Sequence, residues 1–139
     1  MNLTSLDIIS IVRGWIESSP LGEALPTIHI DHYPQTPANR SNKGEFIVLN
    51  VLSNAVGSEQ VATVNVNIYV PDNTPRINAI SQRQPNTARL GELTRIAYES
   101  LKGYPSDERW YFDVSSETML TEQDIPYSFA NIKVTLKKY

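Results

Sequence analysis

Residues 29–33, HIDHY, hold both histidines of the 139-residue chain together with an aspartate and a tyrosine. Two imidazoles and a carboxylate are the side chains that general acid–base catalysis and zinc binding draw on. On a strand, His29 and Asp31 would share one face and His32 would point to the other. A metal site would need further ligands from elsewhere. The chain has no third histidine, no cysteine and no H-E-x-x-H spacing to supply them. A polar strand end beside a loop is the favoured reading of HIDHY. A small-ligand or catalytic site built on the His29–Asp31 region stays open as the alternative, and it requires a concave pocket beside both residues.

Other catalytic signatures are absent from the sequence. There is no G-x-S-x-G, no phosphate-binding G-x-x-x-x-G-K-[ST], no G-x-G-x-x-G and no H-x-E with C-x-x-C. Glu17 with Glu23, or Glu117 with Glu122, are conceivable carboxylate pairs, but no pattern sets either pair face to face. A Ser–His–Asp set need not be local in sequence and stays open, with no local feature in its favour. The basic residues are scattered, and Arg89 and Arg95 are six apart on a helix that Glu92 and Glu99 interrupt. They read as a solvated helix face rather than a phosphate-binding patch. Lys133, Lys137 and Lys138 on the last strand suit the guarding of a sheet edge.

Composition narrows the class. A net charge of −3 argues against a charge-driven grip on nucleic acid, and 40% apolar with 19% charged residues describes a folded domain rather than a disordered one. No apolar run approaches the ~18 residues of a membrane span. MNLTSLDIIS lacks the basic start and small-residue cleavage site of a secretory signal, so an intracellular domain is expected. The length fits one domain over residues 1–139.

The elements that must position these residues follow from periodicity. Thr4 and Asp7 predict a capping-box start for a helix over Ser5 to Ser18, whose stripe is Ile8, Ile11, Val12 and Trp15. Pro20 and Gly22 end it. A short strand is expected over Thr27 to Tyr33. EFIVLNVLS, from Glu45 to Ser53, is apolar at both alternations, as a strand covered on two faces would be. Its antiparallel partner is QVATVNVNIYVPD, residues 60–72, joined through a turn at Gly57. In that strand Val64, Val66, Ile68 and Val70 face a core, while Thr63, Asn65, Asn67 and Tyr69 make an outer face with no charge. A second helix runs from Thr87 to Lys102, with Asn86 as N-cap and Gly103 beyond its end. Two strands close the chain, around Trp110, Phe112 and Val114 and then over YSFANIKVTLKKY. The expected class is α+β: a mainly antiparallel sheet with helices on one face, in the order α-β-β-β-α-β-β.

Two polar, proline-containing connections, residues 34–44 and 71–86, are long for a domain of this size. They read either as surface loops or as arms that become ordered against a neighbouring subunit. Arg40 and Lys43 in the first, and Arg76 and Arg83 in the second, are the candidate interface cations.

This layout resembles the tail-terminator, or tail-completion, family of long-tailed bacteriophages (the lambda minor tail protein U-like family). The residues that carry the resemblance span nearly the whole chain: DIISIVRGWI, then HIDHYPQ with its Y-P pair, EFIVLNVLS, VNVNIYV, LGELTRIAYESL and the two closing strands. The resemblance implies a virion structural protein, made in the host cytoplasm, that forms a homohexameric ring on the end of the tail tube. Such a ring stops tube growth and presents a surface for head–tail joining. It implies no enzyme activity, no cofactor and no membrane partner. The implied partners are copies of the chain, the tail-tube protein and the head-completion protein, with DNA passing through the lumen unbound. On that reading Thr63, Asn65, Asn67 and Tyr69 are expected at a subunit contact or near the bore. An ordinary solvated strand face is the competing reading for these four residues. Another connector or tail-tube component is the alternative within the structural class.

Overall fold

The computed structural model describes residues 3–34, 44–73, 76–77, 80–81, 83–102 and 110–138. Helix α1, Ser5–Glu17, starts as the sequence predicts. The Asp7 amide donates to Thr4 Oγ1 at 3.1 Å and the Thr4 amide to Asp7 Oδ2 at 2.9 Å, so two N–H groups without helical partners are satisfied reciprocally. Its stripe of Ile8, Val12, Trp15 and Ile16 is buried, and Trp15 meets the Phe112 ring at 5.4 Å. Each such aliphatic contributes roughly 1.5–3 kcal/mol on burial.

The chain does not leave the helical layer at Pro20. A short helix α2, Pro20–Ala24, follows with Pro20 in its first turn, where a missing N–H is tolerated. The turn is close enough that a β-carbon on Gly22 would strike the Ile16 carbonyl oxygen and lie 2.9 Å from Glu17 Cα. Ser100 Oγ accepts from the Leu21 amide at 3.0 Å and ties α2 to the third helix. That helix, α3, is Thr87–Leu101, with Asn86 Oδ1 accepting from the Arg89 amide as its N-cap. Leu90, Leu93, Ala97 and Leu101 form its buried stripe.

The strands are β1 Ile28–Ile30, β2 Phe46–Ala55, β3 Gln60–Pro71, β4 Arg76–Ile77, β5 Ile80–Ser81, β6 Trp110–Thr121 and β7 Tyr127–Lys138. Five of them make one sheet in the order β1-β2-β3-β7-β6, and β4 with β5 forms a separate small hairpin. The expected α+β architecture holds: β2–β3, β3–β7 and β6–β7 are antiparallel. Three features depart from the expected order. α2 and the β4–β5 hairpin are additional elements, and β1 is shorter than expected and runs parallel to β2.

All three helices pack on the sheet face that carries Ile47, Leu49, Val64, Val66, Ile68, Ile132, Val134 and Leu136, closing one continuous core. The opposite face holds a second, smaller cluster of Phe46, Val48, Tyr69 and Tyr127, with Tyr33, Ile125 and Phe129 against it. β2 therefore is apolar on both alternations because it feeds both clusters.

Candidate functional site

The face carrying Thr63, Asn65, Asn67 and Tyr69 is the one the helices leave uncovered. The register β2–β3–β7 aligns Phe46 with Tyr69 and Phe129, Val48 with Asn67 and Asn131, and Asn50 with Asn65 and Lys133. Aromatic rings meet in the first row, and in the other two the asparagines bond across the strands, with Val48 the apolar member. In the first row the Tyr69 ring stacks between Phe46, at 4.9 Å and 12°, and Phe129, at 4.7 Å and 18°. Burial first, then the Glu122 carboxylate and Tyr33, push the Tyr69 hydroxyl well above the ordinary phenol range.

The polar rows form one hydrogen-bonded network. Asn65 Nδ2 donates to Asn50 Oδ1 at 2.7 Å. Asn131 Nδ2 donates to Asn67 Oδ1 at 2.6 Å and to Asn65 Oδ1 at 3.1 Å. Lys133 Nζ donates to Asn131 Oδ1 at 2.8 Å. Asn131 is the hub, since both its amide hydrogens and its carbonyl are engaged. Asn67 and Asn131 are only 9% and 7% exposed, so asparagines on this outer face are largely buried groups satisfied by one another. β2 and β3 bring no charged residue to the face, and β7 brings Lys133 and Lys137.

The interface candidates outside this face fare differently. Arg40 and Lys43 lie outside the described residues, and only the backbone of Arg76 is described, in β4. Arg83 is committed within the chain. Its Nη2 donates to the Glu122 carbonyl at 2.9 Å, and its Nε lies 2.9 Å from Asp72 Oδ2, near enough for an ion pair though not aimed as a hydrogen bond. Asp72 Oδ1 in turn accepts from Ser128 Oγ at 2.6 Å. Arg83 thus fastens the segment before α3 to the β6–β7 turn, with its side chain still 38% exposed. Arg89 departs from a solvated helix face. It donates twice to the Glu45 carboxylate, at 2.7 and 2.8 Å, and this hydrogen bonding holds the guanidinium still more firmly protonated.

HIDHY does not assemble as an alternating strand. β1 ends at Ile30 and Asp31 takes a φ of 68°, so the alternation that would set its carboxylate beside His29 stops there. The His29 ring packs edge-on against Phe46 at 5.6 Å, and its Nε2 is buried without a hydrogen-bond partner. Burial first, then Arg13, holds its pKa below the usual histidine range. Among the described residues no three His, Asp or Glu side chains gather as metal ligands. Two open grooves, of about 310 and 360 Å³, are lined from α3 and β6, at the far edge of the sheet from β1. The first lies among Leu90, Thr94, Arg95, Glu117 and Met119.

Neither a scan against models of known protein families nor a search of curated proteins found a match for this chain.

Proposed function

We propose that the chain is a structural protein of a long-tailed phage or prophage virion, assembling as a ring on the end of the tail tube. The ring ends tube growth and offers the head its joining surface. The observation that carries this reading is the uncovered sheet face. Stacked rings and an asparagine network bond its rows laterally, which makes it a stiff wall rather than a soft solvated surface. Its charge is confined to the β7 and β6 side, with no cation contributed by β2 or β3. Two lysines from β7 against Asp113 of β6 leave the wall little net positive charge, which suits a bore through which DNA slides, because phosphate binding is dominated by Lys and Arg. The protein then works by shape and interface, without a reaction or a cofactor.

Lysine substitutions on this face test the reading. Asn67→Lys is a poor probe, because Asn67 is buried and a lysine there would disturb the fold itself. Thr63→Lys with Asn65→Lys adds charge at half-buried positions of the same face. This variant is expected to stay folded at a cost of about 1–2 kcal/mol, since Asn65 gives up its bonds to Asn50 and Asn131 and a lysine there stands opposite Lys133, while ring assembly, or joining of tails to heads, falls. Normal joining with a folded double variant would refute the assignment of this face.

A further inference from the structure

Both edges of the sheet are open among the described strands, and they differ in kind. β6 pairs only with β7, and from Ser115 to Thr121 its residues are exposed on both faces. On the other side β1 covers only Ile47 to Leu49, so among the described strands β2 has no outer neighbour from Asn50 to Ala55, where the Asn54 side chain donates to the Leu3 carbonyl at 3.4 Å. Unpaired backbone donors and acceptors on a long strand are a template for another strand. Each edge also exposes large apolar side chains: Met119 at 47% and Leu120 at 45% on β6, and Leu52 at 58% with Val56 at 56% beside the other edge.

We infer that β6 of one copy pairs with the β1–β2 edge of the next, head to tail, so that the sheet continues from subunit to subunit. The inference deepens the ring reading and rests on it. Strand direction permits the join. Three antiparallel steps separate β2 from β6, so the two run in opposite directions, and β1 runs with β2. A neighbour's β1 and β2 placed beside β6 therefore extend an antiparallel ladder. In the sheet's own rows Ser53 stands level with Asp113 and Ile47 with Met119, and β1 fills the slot beside Ile47 to Leu49, so β6 seats beside Asn50 to Ala55 when it slides a few residues toward the C-terminal end of β2.

Charge selects this arrangement over a two-fold pairing of β6 with itself. From Trp110 to Glu122 the segment holds Asp113, Glu117 and Glu122 and no lysine or arginine. Two such edges side by side would crowd carboxylates with no cation in either strand, and any register that opposes them directly destabilises the pair. The opposite edge is uncharged from Asn50 to Val56. A contact between two different surfaces closes into a ring or runs on as a filament, whereas a two-fold contact stops at a dimer.

The chain has no cysteine, so introduced thiols report cleanly. Ser53→Cys would be combined in turn with Asp113→Cys, Ser116→Cys and Thr118→Cys, all on the uncovered face. Directly opposed residues on adjacent strands fall within disulfide reach. After mild oxidation of the purified full chain, at least one pair is expected to give a non-reducing gel ladder that ends at a fixed closed species. The single variants are expected to stay monomeric on the same gel. Efficient dimers from a single β6 cysteine would overturn the inference, as would a strict monomer at every concentration. Closed rings in images with no ladder from any pair would also overturn it, and would leave the ring reading standing.

Discussion

Replacing Asn131 with alanine removes the hub of the asparagine network, and the cost follows from which partners are buried. Asn67 Oδ1, bonded at 2.6 Å, belongs to a residue only 9% exposed and loses its donor. An orphaned buried acceptor costs about 1–3 kcal/mol. Asn65 Oδ1 and Lys133 Nζ are on half-buried residues where water replaces Asn131, so each adds only about 0.5 kcal/mol or less. Asn131→Ala should therefore cost about 2–3 kcal/mol, which lowers Tm by roughly 8–12 °C for a domain of this size. Asn65→Ala, which removes a half-buried partner, should cost about 1 kcal/mol or less. Urea unfolding followed by circular dichroism, at one fixed protein concentration, measures all three proteins. Adding Asn67→Ala to Asn131→Ala removes both partners, so the double variant should be more stable than the sum of the singles by about 1 kcal/mol. If Asn131→Ala costs under about 0.5 kcal/mol, or no more than Asn65→Ala, the face is an ordinary wet surface and the lateral network does not stiffen it.

Arg89→Ala would leave the Glu45 carboxylate, whose side chain is 9% exposed, without its two hydrogen bonds. A loss of about 2–4 kcal/mol is expected in the same urea assay, with Arg89→Lys intermediate because one ammonium cannot match the bidentate geometry. His29 is held neutral by burial and by Arg13, so the unfolded chain binds its proton more tightly than the folded one. The stability that this confers is full above the unfolded pKa near 6.5 and is lost as pH falls through that value toward the lower folded one. The drop in urea midpoint between about pH 7.5 and 5.5 should accordingly shrink in His29→Gln.

What the sequence made legible was local. The alternation in QVATVNVNIYV, the Thr4–Asp7 box, the Asn86 cap and the stripes of α1 and α3 each depend on residues within a turn or two of one another. The uncharged outer face of β3 was equally readable. Its meaning was not, because that depends on register: Asn65 and Asn131 are 66 residues apart and meet only when β3 and β7 align. α2 has five residues and no apolar period to announce it, and it exists because Ser100 and the close approach at Gly22 hold it against α3 and α1. The alternation in HIDHY stops at a single left-handed φ at Asp31, which side-chain periodicity does not encode. The ties of Arg83 to Asp72 and the Glu122 carbonyl were not legible, because those partners come from the ends of other strands.

The most direct test of the account is native mass across a protein concentration series, with negative-stain images of the heaviest species. The account predicts a closed ring of about six subunits with a central hole, formed reversibly as concentration rises. Long stacked filaments would contradict it in favour of a tube subunit. A species that stops at a two-fold dimer would contradict it outright.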